Sequence, residues 1–311
     1  MSVQTSAGPA APRRRHMSQR TRDNIAGFLF ISPWLVHFLG LIAFAMIFSL
    51  GISLTETDLL TGFRFVGFSN YTRMWNDPLF WKAFWVTAYY TFALVPTSII
   101  ISLIIALMMN QKVAMIGVWR TLFYLPSIVQ GVAVAVLWGF VLNPRFGLIN
   151  VMLRQFGIEG PRWLFSEQWA VPGLIMMGLW GAGGAMLLYL AGLQGIPTQL
   201  YEAAEIDGAN SLRRFWNITL PMLTPTIYFN LLINIIASFQ VFTQSYVMTG
   251  GGPNNATLTQ VLYLYRKGFL DFQFGYASAL AWALFLVIMV FTIMVVRSSE
   301  SWVYYEGELK K

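Results

Sequence analysis

YEAAEIDGANSLRRFWNITLPMLTP, residues 201–225, is the one polar, patterned stretch of this chain that lies between two apolar runs of membrane length. It gathers Glu202, Glu205, Asp207, Arg213 and Arg214 into a short loop. Side chains of this kind are expensive inside a bilayer, so the loop must meet water or a partner. Flanking runs that cross a membrane make the fold an integral one, with this loop outside the hydrocarbon.

The composition agrees. Of 311 residues, 57% are apolar and 11% charged, and the mean hydropathy is +0.59. Soluble domains carry roughly 25% charged residues. The formal net charge of +7 does not indicate a nucleic-acid partner, because the basic residues flank apolar runs rather than forming a patch. There are no cysteines, which excludes disulfides, thiolate nucleophiles and Cys-based metal sites. His16 and His37 are too few and too far apart for a zinc site, so no metal is expected. Residues 1–24 are rich in Pro, Ala and Arg and lack an apolar core with a small-residue cleavage site. They are expected to form a disordered basic cytoplasmic tail, with the first apolar run as an uncleaved anchor.

Six runs free of Asp, Glu, Lys and Arg are long enough to cross about 30 Å of hydrocarbon. They lie near 25–54, 83–109, 121–142, 168–193, 226–248 and 275–296 within one membrane domain, 25–296, followed by a cytoplasmic C-terminal tail, 297–311. None alternates as a barrel strand would. With both termini and the 194–225 loop on one side, 12 of the 20 lysines and arginines share that face, which is expected to be cytoplasmic. The 55–82 segment carries Phe63, Phe65, Phe68, Tyr71, Trp75, Phe80 and Trp81, a composition suited to the membrane interface. Gly250, Gly251, Gly252 and Pro253 signal a turn after the fifth run.

Several chemistries have no residues to carry them. There is no GxxxxGK[ST] phosphate cradle, no carboxylate, lysine or arginine inside a span and no nucleophile–base constellation beside one. The chain is therefore expected not to be an enzyme and to bind no cofactor itself. A six-span protein with no motor of its own needs an external one, and the 201–225 loop is where one could attach. The other class open to it is an ion-coupled secondary transporter of a small polar solute, using carbonyls and hydroxyls; a third is a membrane scaffold that transports nothing.

The loop itself reads as helix, turn, helix. Pro197 suits a helix start, Leu200, Ala203, Ala204 and Asp207 share a face, and Gly208 is placed to end the helix left-handed. Asn210 or Ser211 can cap the next turn. Leu220, Pro221 and Pro225 are expected to stop it and redirect the chain.

These residues resemble the cytoplasmic signature of binding-protein-dependent ABC importer permeases: Glu202-Ala203-Ala204, Asp207-Gly208-Ala209, then Ile218-Thr219-Leu220-Pro221. The likeness extends over nearly all of residues 25–305, in FVGFSNYTRMWNDPLFWKAF (65–84), RTLFYLPSIV (120–129), WGAGGAM (180–186), LAGLQGIP (190–197), SFQVFTQSYVMTGGGP (238–253) and GYASALAW (275–282). It is similar to the carbohydrate-uptake branch, maltose and glycerol-3-phosphate permeases included, though without the extra spans and large outer domain of the maltose type. The resemblance implies an all-α, six-helix MetI-like membrane fold in a bacterial or archaeal plasma (inner) membrane, importing a sugar or oligosaccharide. It implies a coupling helix at 202–221 that docks on an ATPase, which would hold ATP and Mg. It also implies a second homologous permease in a heterodimer, two ATPase subunits, an extracytoplasmic solute-binding protein and surrounding lipid, with no nucleic acid.

In such permeases the cavity lies beside the spans that flank the coupling loop. In the fifth run, Asn234, Ser238 and Val241 fall at i, i+4, i+7, joined by Gln240 and Gln244. Amides and hydroxyls on one stripe suit sugar hydroxyls, although they also suit hydrogen bonds between helices. In the fourth run Trp180 and Gly181, with Gly183 and Gly184, suggest either close helix packing or a locally opened helix with Trp180 as a sugar platform. Gln130 and His37 are lone polar residues in spans and are expected to be structural.

Overall fold

The computed structural model describes residues 19–58, 62–129 and 131–304. Most of the expected N-terminal tail, Gln130 and the end of the expected C-terminal tail lie outside the described residues. The chain forms two compact units, Met1–Gly51 and Ile52–Lys311.

The first unit is a helix, α1 (Gln19–His37), that passes through a π-helical turn at Phe38–Ala43 into α2 (Phe44–Ser53). Its apolar portion, Asp23–Ser53, is 31 residues long, or about 46 Å, more than a bilayer core requires. Pro33 lies inside it and lacks the amide that would bond the Leu29 carbonyl. The Ser32 hydroxyl donates to that carbonyl instead, at 2.8 Å.

The second unit opens with an antiparallel ribbon, β1 (Thr55–Asp58) and β2 (Gly62–Phe65), in which Thr55 faces Phe65. The ribbon occupies the start of the aromatic-rich 55–82 segment and pairs GFRF with TETD. A short α3 (Ser69–Trp75) follows, and Asn70 donates to the carbonyls of Ser53 and Thr55, both at 2.9 Å. Then comes α4 (Pro78–Met109), capped by Asp77 and central to the unit. The third apolar run becomes α5 (Ile116–Ile128) and α6 (Gly131–Val141), followed by α7 (Leu148–Gln155). The fourth becomes α8 (Ala170–Trp180) and α9 (Gly183–Gln194), bent by 46° at their junction. At the bend the Ala182 carbonyl accepts twice, from the Met186 amide that opens α9 at 3.3 Å and from the buried Ser102 hydroxyl of α4 at 2.8 Å.

Next come α10 (Thr198–Ile206) and α11 (Ser211–Arg214), then a π-helical turn at Phe215–Thr219 and α12 (Leu220–Phe239). Here the prolines do not stop the helix as expected. The helical run is continuous from Ser211 to Phe239, beginning well before 226 and ending before 248. Pro221 sits in the first turn of α12, where a missing amide is tolerated, and the Thr224 hydroxyl donates 2.6 Å to the Pro221 carbonyl that Pro225 cannot reach. The helix breaks instead at Gln240–Phe242, before α13 (Thr243–Thr249). The last elements are α14 (Gln260–Tyr265), a π-helical turn at Arg266–Leu270 and α15 (Phe274–Trp302).

Among the described residues four helices are long and apolar enough to cross a membrane, and six spans result if each interrupted pair counts as one. The α4 helix packs on α8, α9 and α12, and α12 packs on α15. Its C-terminal half anchors a cluster of Ala106, Met109, Met186, Tyr189, Leu193 and Leu223; at its start Phe80 and Ala83 join Leu258, Leu262, Tyr263 and Tyr276. The fold is that of an all-α membrane protein in which the broken α8–α9 helix packs on α4.

Candidate functional site

The 201–225 loop stands at the end of the unit where α4 and α9 finish. Pro197 is the N-cap of α10, and Asp207 its C-cap. Gly208 has φ +72, the left-handed conformation that costs glycine nothing. Its amide donates to Glu205 and that of Ala209 to Ala204, at 3.0 and 2.8 Å, the paired bonds of a Schellman ending. The Asn210 side chain then accepts from the Arg213 amide at 2.9 Å and starts α11. Two links close the helical hairpin: Arg214 Nη1 to Glu205 Oε1 at 2.6 Å, and the Tyr201 and Thr219 hydroxyls at 2.9 Å.

The expected coupling residues divide accordingly. Glu202, Ala203, Asp207 and Gly208 are exposed, and Ala204 and Ala209 are half-buried in the helix ending. Ile218, Leu220 and Pro221 are half-buried at the base, where Ile218 and Tyr201 pack on the cluster around Tyr189 and Leu223. Ile206, Leu212 and Trp216 are 87%, 66% and 58% exposed, an apolar set that the spacing of the charged residues did not indicate. Apolar side chains held in the open beside a carboxylate make a surface suited to another protein.

The second feature is a cleft of about 350 Å³ against the middle of α4. It brings together Asn234, Ser238, Gln240, Val241 and Gln244, along with Tyr90, Leu94, Gly178 and Thr243. Val241 does not arrive by helical periodicity. The helix has already ended at Phe239, and the irregular Gln240–Phe242 backbone turns Val241 inward, with its carbonyl accepting from the Thr259 hydroxyl at 2.9 Å. Broken backbone at membrane depth is tolerated where it lines a cavity in this way. Asn234 donates to Asn230 O at 2.8 Å and Ser238 to Ile235 O at 3.0 Å, leaving their oxygens as acceptors toward the space. Trp180 and Gly181 do not line the cleft: Trp180 meets Trp138 edge to face at 6.1 Å, and Gly181 is exposed at the bend. Tyr90, Leu94 and Gly178 carry no polar pattern, so only packing reveals their place. Among the described residues no three His, Asp or Glu side chains converge as a metal would require.

At the opposite end Asp77 ties three helices. Its Oδ1 accepts from the Leu79 amide at 2.9 Å, and its Oδ2 accepts from the Tyr276 hydroxyl at 2.6 Å and from that of Tyr263. Burial works to raise the Asp77 pKa, but the hydroxyls of Tyr263 and Tyr276 and the amides of Leu79 and Phe80 outweigh it and hold the carboxyl below its ordinary 3.8. A depressed carboxylate contributes stability that is complete above its ordinary value and drains away as pH falls through its folded value. Thermal melts in detergent should therefore show an acid-dependent loss below about pH 4 that is missing in Asp77→Asn, while an identical acid profile in both proteins would refute this role.

Comparison with known proteins accords with this arrangement. Residues 79–301 match the family described as "Binding-protein-dependent transport system inner membrane component". The "Probable ABC transporter permease protein YesP" of Bacillus subtilis (strain 168) is 40% identical over 292 residues, spanning 92% of this chain and 94% of that protein. The "Arabinooligosaccharides transport system permease protein AraP" of the same organism is 33% identical over 287 residues, 91% of this chain and 90% of that one. A chain in the crystal structure of a bacterial alginate ABC transporter, in complex with alginate pentasaccharide-bound periplasmic protein, superposes with a TM-score of 0.79 at 24% identity, covering 90% and 96% of the two chains.

Proposed function

This chain belongs to the family of binding-protein-dependent transport system inner membrane components and is a multi-pass permease subunit of a saccharide ABC importer, and from that premise we propose that it is driven through residues 202–221 by an ATPase it does not contain. The observation that carries this is the exposed hairpin: Glu202 and Asp207 stand free beside Ile206, Leu212 and Trp216 on a rigidly closed helix–turn–helix. A docked ATPase dimer would hold ATP and Mg, and this subunit would bind no cofactor. The loop then faces the cytoplasm, as do both termini, and the Asp77 end faces the binding protein. A second homologous permease completes the path as a heterodimer, in a bacterial or archaeal plasma membrane.

The cleft at Asn234, Ser238, Gln240, Val241 and Gln244 is proposed as this subunit's contact with the sugar. Its amide and hydroxyl oxygens match sugar hydroxyls, and Tyr90 supplies a ring beside them. Asn234→Leu should lower uptake about tenfold or more with ATPase assembly intact, since a sugar hydroxyl loses its partner in a confined site. Unchanged uptake by that variant would remove Asn234 from the path.

Reconstituted vesicles containing the complete importer and its binding protein test the function as a whole. With arabinotriose, maltotriose and a uronic-acid trisaccharide as probes, accumulation should require ATP and persist without any ion gradient. Accumulation that follows a sodium or proton gradient and ignores ATP would instead make the chain a secondary transporter.

A further inference from the structure

A second cleft, of about 480 Å³, opens beside the first turns of α4, at the end opposite the 201–225 loop. Lys82, Trp85 and Tyr89 of α4 form one wall, and Glu167, Gln168 and Val171 stand across from them. Trp85 and Tyr89 are 65% and 54% exposed at i, i+4 spacing, so two rings lie on one side of the helix and border open space. The lip is tied: Lys82 Nζ donates to the Asn254 carbonyl at 2.5 Å, and Asn254 Nδ2 donates to Glu167 Oε1 at 3.1 Å.

What lies inward of this cleft gives it meaning. Tyr90, Val171, Leu174 and Val241 form a buried apolar cluster, with Val86 and Leu94 packed around it. Val86 and Val171 also belong to the wall of the Trp85 cleft, and Tyr90, Leu94 and Val241 to the wall of the mid-span cleft. One thin apolar septum therefore separates two chambers, with Trp85 and Leu94 about 13 Å apart along α4.

We propose that the Trp85–Tyr89 cleft is a saccharide-binding vestibule, which a sugar occupies before it passes the Tyr90–Val171–Leu174–Val241 septum to the mid-span cleft. The proposal rests on the saccharide-permease reading above. A sugar ring presents C–H faces that pack on aromatic rings and a rim of hydroxyls that both donate and accept. The cleft offers both: two rings, and a rim carrying an ammonium, a carboxylate and an amide. An anionic lipid headgroup is the poorer match, because the carboxylate of Glu167 lines the same cleft as Lys82.

The chain has no cysteine, so single reporters can be placed without background. Gln168→Cys reports the vestibule, Gln240→Cys the mid-span cleft and Phe63→Cys, on the exposed ribbon, serves as control. Maleimide labelling of the complete importer in phosphatidylcholine vesicles is followed with and without whichever of the three trisaccharides the parent protein accumulates. At ten times the half-protecting concentration, labelling at Gln168→Cys should slow about tenfold. Protection should vanish when Trp85→Leu is added and survive with Trp85→Phe; Phe63→Cys should label equally throughout. Protection at Gln240→Cys without any at Gln168→Cys would overturn the vestibule and leave the permease reading standing. Slowing at Gln168→Cys by phosphatidylglycerol rather than by sugar would also overturn it and assign the cleft to lipid. If no probe is accumulated with ATP and neither reporter is protected, the permease reading fails, and the vestibule with it.

Discussion

Glu202→Lys should reduce ATP-driven uptake about 100-fold while leaving the melting temperature of the subunit nearly unchanged. Glu202 is exposed on α10 and takes no part in the bonds that close the hairpin. Its reversal therefore removes nothing from the fold, and surface substitutions of that kind shift stability by no more than about 0.5 kcal/mol. At a docked interface, by contrast, losing one partner of a charge contact costs about 2–5 kcal/mol, and about 2.7 kcal/mol is a hundredfold. Glu205→Gln provides the comparison. It removes the 2.6 Å link to Arg214, a pair exposed enough to contribute about 1 kcal/mol or less, so uptake should fall only a few-fold. Uptake and ATPase pull-down are measured together. Uptake by Glu202→Lys at the parent rate, with the ATPase still captured, would sink the docking role of the loop.

The second large effect is structural. Gly183→Val should abolish folding or lower the melting temperature by ten degrees or more, on the order of what several kcal/mol does to a domain of this size. Gly183 opens α9 where the helix presses on α5. A Cβ there would lie 1.8 Å from the Phe123 carbonyl oxygen and 2.7 Å from its carbon, which are backbone atoms that cannot rotate away. Overpacking against mobile side chains costs about 1–3 kcal/mol, and against backbone the two helices themselves must separate. Gly181→Ala, two residues earlier, would meet only the Gly178 carbonyl at 3.5 Å and should be tolerated. Fluorescence melts of the two variants decide the matter: equal stability would mean that the α5–α9 approach yields more easily than its geometry indicates.

These contrasts mark what could be read in advance. The left-handed Gly208 and the Asn210 cap were legible because local chemistry decides them: a glycine after a helix and a short polar side chain before one have few alternatives. The exposed Ile206, Leu212 and Trp216 were passed over because charge drew attention to their neighbours. The prolines misled. Pro221 and Pro225 carry a local rule against helix, but Thr224 supplies the hydrogen bond that Pro225 lacks, and the helix runs on to Phe239. Val241 shares a cleft with Asn234 and Ser238, but the helical period that groups it with them ends two residues before it.

The chain by itself determined its apolar runs, their lengths, the polar loop between two of them and the turn that closes it. Each follows from burial cost or backbone preference within a few residues, and needs no distant partner to be decided. Tertiary structure alone decided where helices break and what the breaks enclose. The Thr259 hydroxyl that meets the Val241 carbonyl comes from 18 positions away, and the Ser102 hydroxyl that ties α4 to the Ala182 carbonyl at the α8–α9 bend comes from 80. Likewise the septum gathers Tyr90 of α4, Val171 and Leu174 of α8 and Val241 from the break after α12. A broken helix in a membrane is stable only when something else meets its stranded carbonyls, and that partner has no signature in the local sequence.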